Sequence, residues 1–361
     1  MNTKRLTYFD LAKGFGILFV VLGHIEYISE ELRGFISSFH MPLFFIISGM
    51  LMAYKYDTEK SFSSFTQKTS KGLLIPYMWF SIIYVFIDIY NLIIHAINGR
   101  TFVENIISSL TFYGVSVLWF LPALFIGEIG AFFLIKNLKK FYLTIPIALI
   151  IAVVAYSGQI KISGVYDANA SILLITSLIN LVRVFIRGLI AVFFVVAGYH
   201  IFDLFLRKSE KFSVYELVLG IVFFIANIFL CLINGCVDFH YIILKNVPMF
   251  FICALIGSMA VILISKNLKP IDFIQFFGKN SLVIMATHVQ CYVLYIAILI
   301  SIQVNKLFTR GKSYVFVFSI MVFTMIAETI IVLIINKYFP FIKGGKLNTG
   351  ILKKINNKED K

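Results

Sequence analysis

Asp10, Lys13 and His24 lie in or beside the first apolar segment of the chain. At about 100° per residue of helix, Lys13 and His24 are three turns plus about 20° apart, and Asp10 lies about 60° from Lys13. The three side chains therefore share one helix face, with a rise of about 16 Å from Lys13 to His24. An imidazole suits proton transfer near neutral pH, and a lysine can bind phosphate. The simpler alternatives are an interfacial ion pair of Asp10 with a snorkelling Lys13, and a hydrogen-bonded packing role for His24.

Other polar side chains recur in the later apolar segments, where each has a structural alternative. His40 and Trp119 could sit at the membrane interface, Arg183 and Arg187 could anchor a span or bind phosphate or carboxylate, and Ser281 could cap a helix. Glu128 and Glu328 could pair with the arginines or with Lys13, and the sequence does not say which. The further candidates for binding a substrate or shaping a tunnel are Ser48, beside Gly49, and His288, seven residues after Ser281.

These residues need a membrane-embedded scaffold to position them. The chain has 361 residues, of which 60% are hydrophobic and 14% charged. Soluble domains are about 45–50% apolar and about 25% charged, so the composition excludes a soluble enzyme, a disulfide scaffold and a disordered chain. At about 20 residues per span, the length allows roughly ten transmembrane helices. The sequence predicts an all-α, polytopic membrane helix bundle.

The apolar runs place the ten spans along the chain, and the basic residues orient them. Most of the 32 Lys and Arg residues fall in the termini and in the loops on one side, which predicts that both termini are cytoplasmic. Residues 171–182 are predicted to form an amphipathic surface helix before the sixth span. One integral domain covers residues 1–340, followed by a short basic tail, 341–361. The predicted spans are 8–28, 35–54, 73–97, 117–135, 143–157, 184–206, 214–234, 247–265, 281–302 and 314–336.

Several kinds of chemistry are disfavoured by the sequence. The net charge of +14 is spread over loops rather than collected on one surface, so nucleic acid is not an expected partner. The four cysteines form no CxxC pair and the six histidines lack ligand spacing, so no metal site and no disulfide are expected. A phosphate-binding loop, a dinucleotide fingerprint, a GxSxG elbow and an HExxH motif are all missing.

Two ordered motifs give the sequence a resemblance. The opening Arg5-x4-Asp10-x2-Lys13-Gly14-x9-His24 is followed by a Phe39-His40-Met41-Pro42 motif that continues to Ser48-Gly49, in which Pro42 suits the first turn of a helix. Together they resemble acyltransferase family three, ten-helix membrane acyltransferases of bacteria with relatives in animals. The form of these motifs is closest to the sugar O-acetylase, fucose-acetylase-like branch. The similarity continues through Leu74 to Tyr77, Leu118 to Leu121, Phe193 to Tyr199 and Gly278 to His288.

The resemblance implies transfer of an acyl group, most often acetyl, from cytoplasmic acyl-CoA to a saccharide hydroxyl. In that chemistry His24 acts as the general base or as a transient acyl carrier, and Asp10 holds Lys13. Lys13 stands where the family more often has arginine; with Lys68 and Lys71 it would meet the CoA phosphates. Acyl-CoA is then a donor substrate, and no tightly bound cofactor is expected. The remaining candidates would bind the acceptor or shape the tunnel: His40, Ser48, Trp119, Arg183, Ser281 and His288.

The expected setting is the cell membrane, with lipid around the bundle. The acceptor would be a saccharide or lipid-linked saccharide of the cell envelope or of an exported polymer, and envelope-polysaccharide biosynthesis proteins are the expected partners. The alternative function is a glycan or glycolipid transporter, because polar residues facing a central cavity serve either role. Dependence on acyl-CoA separates the two functions.

Overall fold

The computed structural model describes residues 5–55, 61–169, 171–207, 211–308 and 313–345. Within these ranges the regular structure is helical, which confirms the predicted all-α bundle. The helices are α1 Thr7–Gly23, α2 Glu30–Lys55, α3 Phe62–Ile93, α4 Gly99–Leu110, α5 Phe120–Leu138, α6 Phe141–Ala168, α7 Leu173–Ile201, α8 Val214–Asn234, α9 Val247–Asn267, α10 Asp272–Lys279, α11 Ser281–Thr287, α12 Val293–Phe308 and α13 Ser313–Tyr338.

Eight helical segments in the described ranges are long and apolar enough to cross a membrane. The other two predicted crossings are α1, which has 17 residues, and the pair α11–α12. We call the side where α1 begins and α13 ends the inner side, which the charge pattern predicts to be cytoplasmic, and the opposite side the outer side. Helix α4 lies beside the outer end of α3, and α10 lies at the inner end of α1.

The separate surface helix predicted at residues 171–182 is wrong, because residues 173–182 form the first turns of the long helix α7. Leu174 and Leu178 face outward, whereas Thr176 is buried. This segment turns polar groups toward the protein and apolar groups toward lipid, which gives the same amphipathic pattern as a surface helix. The short helix without buried residues is instead α4.

Besides α7, two further helices begin several residues earlier than their predicted spans. Helix α2 begins at Glu30, so Pro42 lies in its interior and not in its first turn. An interior proline removes one backbone hydrogen bond, a loss that neighbouring groups offset in membrane helices. Helix α3 begins at Phe62, after Ser61 caps the amide of Ser64, so Lys68 lies on a helix rather than in a loop.

The predicted ninth span is not one continuous helix. Helix α11 ends at Thr287, and α12 begins only at Val293. In the break, Tyr292 adopts a φ of 60°, and the amide of Leu294 donates to the carbonyl of His288 at 2.8 Å. The break therefore places His288 at a helix end, with a turn of irregular backbone beside it.

Glycines allow two pairs of helices to touch backbone to backbone. A Cβ on Gly49 would lie 1.9 Å from the carbonyl oxygen of Val195, and a Cβ on Gly198 would lie 2.1 Å from that of Ile46, so α2 and α7 meet at these residues. Gly14 and Gly278 do the same for α1 and α10. These contacts fix α1 and α2, which carry the two histidine motifs, against the rest of the bundle.

The start of the predicted tail belongs to the folded protein. Pro340–Lys343 forms a 3-10 turn, in which Ile342 is buried and the Phe341 ring lies 4.9 Å from the Trp79 ring of α3. The remainder of the tail, from residue 346, lies outside the described residues.

Candidate active site

His24 stands immediately after the last residue of α1. Because the helix ends at Gly23, the amide of His24 donates to the carbonyl of Val21, and the carbonyl of Val20 is left without that backbone partner. The Nδ1 of His24 lies 2.8 Å from this Val20 oxygen. The end of the helix thus fixes the imidazole ring. Arg33 of α2 holds the same turn by donating to the carbonyls of Gly23 and Ile25.

His288 lies behind His24 and is completely buried. Its Nε2 is 3.4 Å from the Nδ1 of His24, and the two rings meet edge to face with centroids 4.9 Å apart. Its own Nδ1 lies 2.9 Å from the carbonyl oxygens of Ile284 and Met285. The break after α11 therefore brings a second histidine against the first, across 264 residues of chain.

The backbone contacts determine the tautomers of these rings. A carbonyl oxygen only accepts, so the Nδ1 of His24 and the Nδ1 of His288 must each carry a proton. In the neutral rings the lone pair is then on Nε2. The Nε2 of His288 faces the Nδ1–H of His24, and the Nε2 of His24 remains available as a base. His40 follows the same rule, with its Nδ1 2.8 Å from the carbonyl of Ile36.

A cavity of about 560 Å³ opens on the outer side of the bundle, and we call it the outer cavity. His24 and His40 line it together with Trp119, and charged groups stand around its rim, among them Asp238 and Lys245. His24 is exposed to this space. A polar acceptor entering from the outer side would meet the His24 ring.

A smaller pocket of about 250 Å³ lies on the inner side of His24, and we call it the inner pocket. Lys13 is at its wall, and most of its other lining residues are apolar. Val20, Met41 and Met285 line both spaces, so the inner pocket and the outer cavity meet at these three side chains. Together the two adjoining spaces extend from Lys13 to His24, and we call the pair the passage.

Ser48 and Ser281 are both in the wall of the inner pocket. The Ser48 hydroxyl donates to the Glu128 carboxylate, which also accepts from Thr69 at 3.1 Å. Glu128 therefore pairs with hydroxyl groups rather than with the arginines or Lys13. Similarly, Glu328 accepts from Thr287 at 2.6 Å. Asn280, and not Ser281, occupies the N-cap position of α11.

The inner end of the passage carries the predicted ion pair. Asp10 is buried and accepts from Arg5 through both carboxylate oxygens, at 2.6 and 3.0 Å, while the Lys13 Nζ lies 3.3 Å from it. Asp10 is about 21 Å along the helix from His24, so it orients Lys13 and takes no part at the imidazole. Lys68 and Lys71 are exposed in the first turns of α3, three residues apart.

Trp119 belongs to a stacked wall rather than to the membrane interface. Its ring is parallel to that of His240 at 5.7 Å, and the Arg187 guanidinium lies 5.3 Å from its centroid. Arg187 is buried and donates to the carbonyls of His240 and Tyr113. Burial, together with the charges of Arg187 and Arg183, lowers the pKa of His240 to about 3. His240 is therefore a neutral ring and does not titrate near neutral pH.

Arg183 lies in neither of these two spaces. It is buried, its guanidinium stacks on the Tyr166 ring at 4.2 Å, and it donates to the Asn180 amide oxygen at 3.3 Å. The structure thus brings His24, His288, His40 and Trp119 to one end of the passage and Lys13, Ser48 and Ser281 to the other. Arg183 supports a ring outside the passage.

Sequence reasoning missed His240 and Arg33 and gave Arg187 no fixed role. The available signal was weak: Asp238 and His240 stand in a short outer loop, where polar residues are common. In the described part of the chain, no group of three or more His, Cys, Asp or Glu side chains is arranged to hold a metal ion.

The fold and the site define a class, a polytopic membrane protein with a fixed histidine in the wall of a cavity on its outer side. Residues 6–335 match the sequence model of an acyltransferase domain, that of acyltransferase family 3. The chain belongs to this family and is a multi-pass membrane acyltransferase. Searches of curated proteins and of solved structures gave no match.

Proposed function

We propose that the protein moves an acyl group, with acetyl as the first candidate, from cytoplasmic acyl-CoA to a saccharide hydroxyl. The acceptor would be a cell-envelope or exported saccharide, and the membrane would be the cell membrane. The observation that carries this proposal is the junction at Val20, Met41 and Met285, the side chains that line both the small apolar inner pocket and the outer cavity beside His24.

The two spaces suit the two substrates. The inner pocket is small and mostly apolar, which fits the acyl-pantetheine arm of CoA. Lys13 lines this pocket, and Lys68 and Lys71 are exposed on α3, the helix whose Leu73 also lines it, so these lysines would meet the CoA phosphates in water. The outer cavity is larger, and histidine, serine and charged side chains stand among the apolar ones in its walls, which fits a hydroxyl-rich acceptor. The thioester would reach the junction from one side and the hydroxyl from the other.

In the transfer step, the Nε2 of His24 takes the proton of the acceptor hydroxyl as its oxygen attacks the thioester carbon. The tetrahedral intermediate then collapses, the C–S bond breaks, and the CoA thiolate takes the proton from the imidazolium. The products are an ester and free CoA thiol. A transient acyl group on the same Nε2 is the second route, in which the thiolate leaves before the acceptor attacks.

The test uses the full chain in lipid nanodiscs, which leave both faces accessible. Acetyl-labelled acetyl-CoA and the base-deacylated envelope polysaccharide of the cells that carry the gene are the substrates. We expect release of CoA thiol and base-labile label in the polysaccharide. Succinyl-CoA and longer acyl-CoAs, run in parallel, show the donor preference. A folded protein that neither binds nor consumes any acyl-CoA would refute the proposal and favour the transporter alternative.

Blocking the junction should slow transfer strongly without preventing CoA binding. Met41 lines both spaces, so Met41→Trp places an indole between them, and we expect kcat/KM for transfer to fall about a hundredfold, because reacting groups that are held apart lose the benefit of proximity. Met41→Leu, which is close in volume, is the matched control and should change activity less than about threefold. The measurement is label transfer together with CoA binding. Full activity in Met41→Trp would show that the substrates do not meet at this junction.

His288 should act through His24 and not on a substrate. In His288→Ala the Nδ1–H of His24 loses its second acceptor, so we expect kcat to fall about tenfold with KM for acyl-CoA unchanged. In His288→Gln the side-chain oxygen can accept from the same N–H, and part of the rate should return. The readout is the separate measurement of kcat and KM. A higher KM with unchanged kcat would instead show that His288 contacts substrate.

A further inference from the structure

A second cavity on the outer side, of about 280 Å³, lies next to the outer cavity. It is bounded by α4, by the first turns of α7 and by the loops around Tyr113 and Tyr241, and we call it the side cavity. Its lining is mostly polar and includes the side chains of Asn105, Ser177 and Asn180. Such a polar space needs an occupant that can form hydrogen bonds.

The side cavity adjoins the site of acyl transfer. Ser116 and His240 line both the side cavity and the outer cavity, so the two spaces have a common wall. If the reacting sugar of an oligosaccharide fills the outer cavity beside His24, the neighbouring sugar unit lies at this wall. The side cavity is thus positioned to hold the part of an acceptor that follows the reacting unit.

The aromatic walls of the side cavity are held in place from behind. The Arg183 guanidinium lies 4.2 Å from the centroid of the Tyr166 ring, and the Arg187 guanidinium lies 4.2 Å from that of Tyr113. The two arginines are one turn apart on α7 and buried. Cation–π contacts of this kind stabilise a ring in one orientation. The cavity therefore has fixed walls.

One buried nitrogen in the wall of the side cavity lacks a partner. The Nε2 of His240, which lines both the side cavity and the outer cavity, has no hydrogen-bond partner among the described residues. A buried polar atom without a partner is costly, so this nitrogen indicates that a hydroxyl of water or of a ligand completes the site.

The side-chain chemistry selects a hydroxyl-rich, uncharged occupant. Amides and hydroxyls both donate and accept, as sugar hydroxyls do, and tyrosine rings add apolar surface. Of the ionisable groups at the cavity, Glu104 is paired with Arg100 at 2.7 Å, and His240 is neutral. The cavity thus presents no unpaired acid in its described lining and has little apolar wall for a lipid chain.

We propose that the side cavity is a second acceptor subsite, which binds the sugar unit next to the one that is acylated. The substrate is then an oligosaccharide or polysaccharide rather than a single sugar. This inference rests on the proposed acyl transfer to a saccharide. Arg183 and Arg187 act in it as positioning residues for the two tyrosine rings.

The test compares acceptors of different length. The deacylated envelope polysaccharide is cut by partial acid hydrolysis and separated into one-unit and three-unit fractions, and label transfer from acetyl-CoA is measured in nanodiscs. For the wild type we expect a KM about tenfold lower for the three-unit fraction, since each lost polar contact to a ligand costs about that factor.

Asn180→Ala and Tyr166→Ala should remove the gain from the longer acceptor. We expect their KM for the three-unit fraction to rise about tenfold, with the one-unit KM and kcat unchanged. Asn169→Ala, an amide at the end of α6 that lies outside the side cavity, is the matched control and should behave as wild type. Thermal unfolding of each variant shows whether it is folded.

The outcomes separate the two proposals. The second subsite would be overturned, with acyl transfer intact, if the wild type had equal KM values for the two fractions. It would also be overturned if the folded Asn180→Ala and Tyr166→Ala proteins kept the wild-type preference for the longer acceptor. No label in the intact polysaccharide and no release of CoA thiol would overturn the proposed function itself, and the subsite with it.

Discussion

His24→Ala should lower the rate of acyl transfer about a thousandfold, because a positioned general base contributes between about a hundredfold and ten-thousandfold. Acyl-CoA binding should remain within about twofold of wild type, since Lys13 lies about 16 Å away along α1. The measurement is label transfer to the polysaccharide beside equilibrium binding of acyl-CoA. If His24 is instead the transient acyl carrier, the same loss of transfer rate is expected. In that case the wild-type protein would also carry a base-labile acyl group that the His24→Ala protein lacks.

The matched control is His95→Asn. His95 lies in the turn after α3, is exposed, and has a φ of 58°, a conformation that asparagine tolerates well. This variant should keep wild-type activity. If His24→Ala, folded and able to bind acyl-CoA, transferred label at the wild-type rate, the base would have to be another group, and His40 would be the next candidate because its Nε2 is the unprotonated nitrogen in the same cavity.

Gly278→Ala should have the largest effect on folding. A Cβ at this position would lie 1.8 Å from the carbonyl oxygen of Asp10 and 2.8 Å from the amide nitrogen of Gly14, and both are backbone atoms that cannot move without separating α10 from α1. Overpacking of this kind costs about 1–3 kcal/mol and sometimes more. We expect a lower unfolding temperature in detergent and a weaker affinity for acyl-CoA, because α1 carries Lys13.

Gly158→Ala provides the control for the glycine substitution itself. Gly158 lies within α6, and apart from its chain neighbours and the backbone of its own helix no atom lies within 4 Å of its ideal Cβ position. Alanine is the better helix former by up to about 1 kcal/mol, so this variant should be as stable as wild type or more so. A wild-type unfolding temperature in Gly278→Ala would show that α1 and α10 do not pack through this glycine.

The amino-acid sequence by itself determined the helical class, the approximate number of spans and the shared face of Asp10, Lys13 and His24. The physical reason is local. In lipid a chain must satisfy its backbone hydrogen bonds within each segment, so a long apolar run is a helix wherever it lies. The 3.6-residue period then fixes which side chains share a face. The motifs around His24 and His40 also sufficed to indicate the family.

The same local rules failed where the tertiary contacts override them. The segment before Arg183 has the amphipathic pattern of a surface helix, yet it is the start of α7. Its apolar side chains face outward and its polar side chains face the protein, the reverse of a helix on the surface of a soluble protein. Pro42 is typical of the first turn of a helix, yet α2 begins about three turns before it. In both places the environment of a residue depends on neighbours that are distant in the sequence.

Only the tertiary structure decided how the site is assembled. The contact of His288 with His24 spans 264 residues and needs the break after α11, which no periodicity predicts. The pairing of Glu128 with Ser48 and Thr69 joins three different helices. The two spaces of the passage adjoin each other because Val20, Met41 and Met285, which come from three separate helices, line both of them. Spaces between helices depend on how side chains of distant segments pack, and a linear pattern of residues carries no record of that packing.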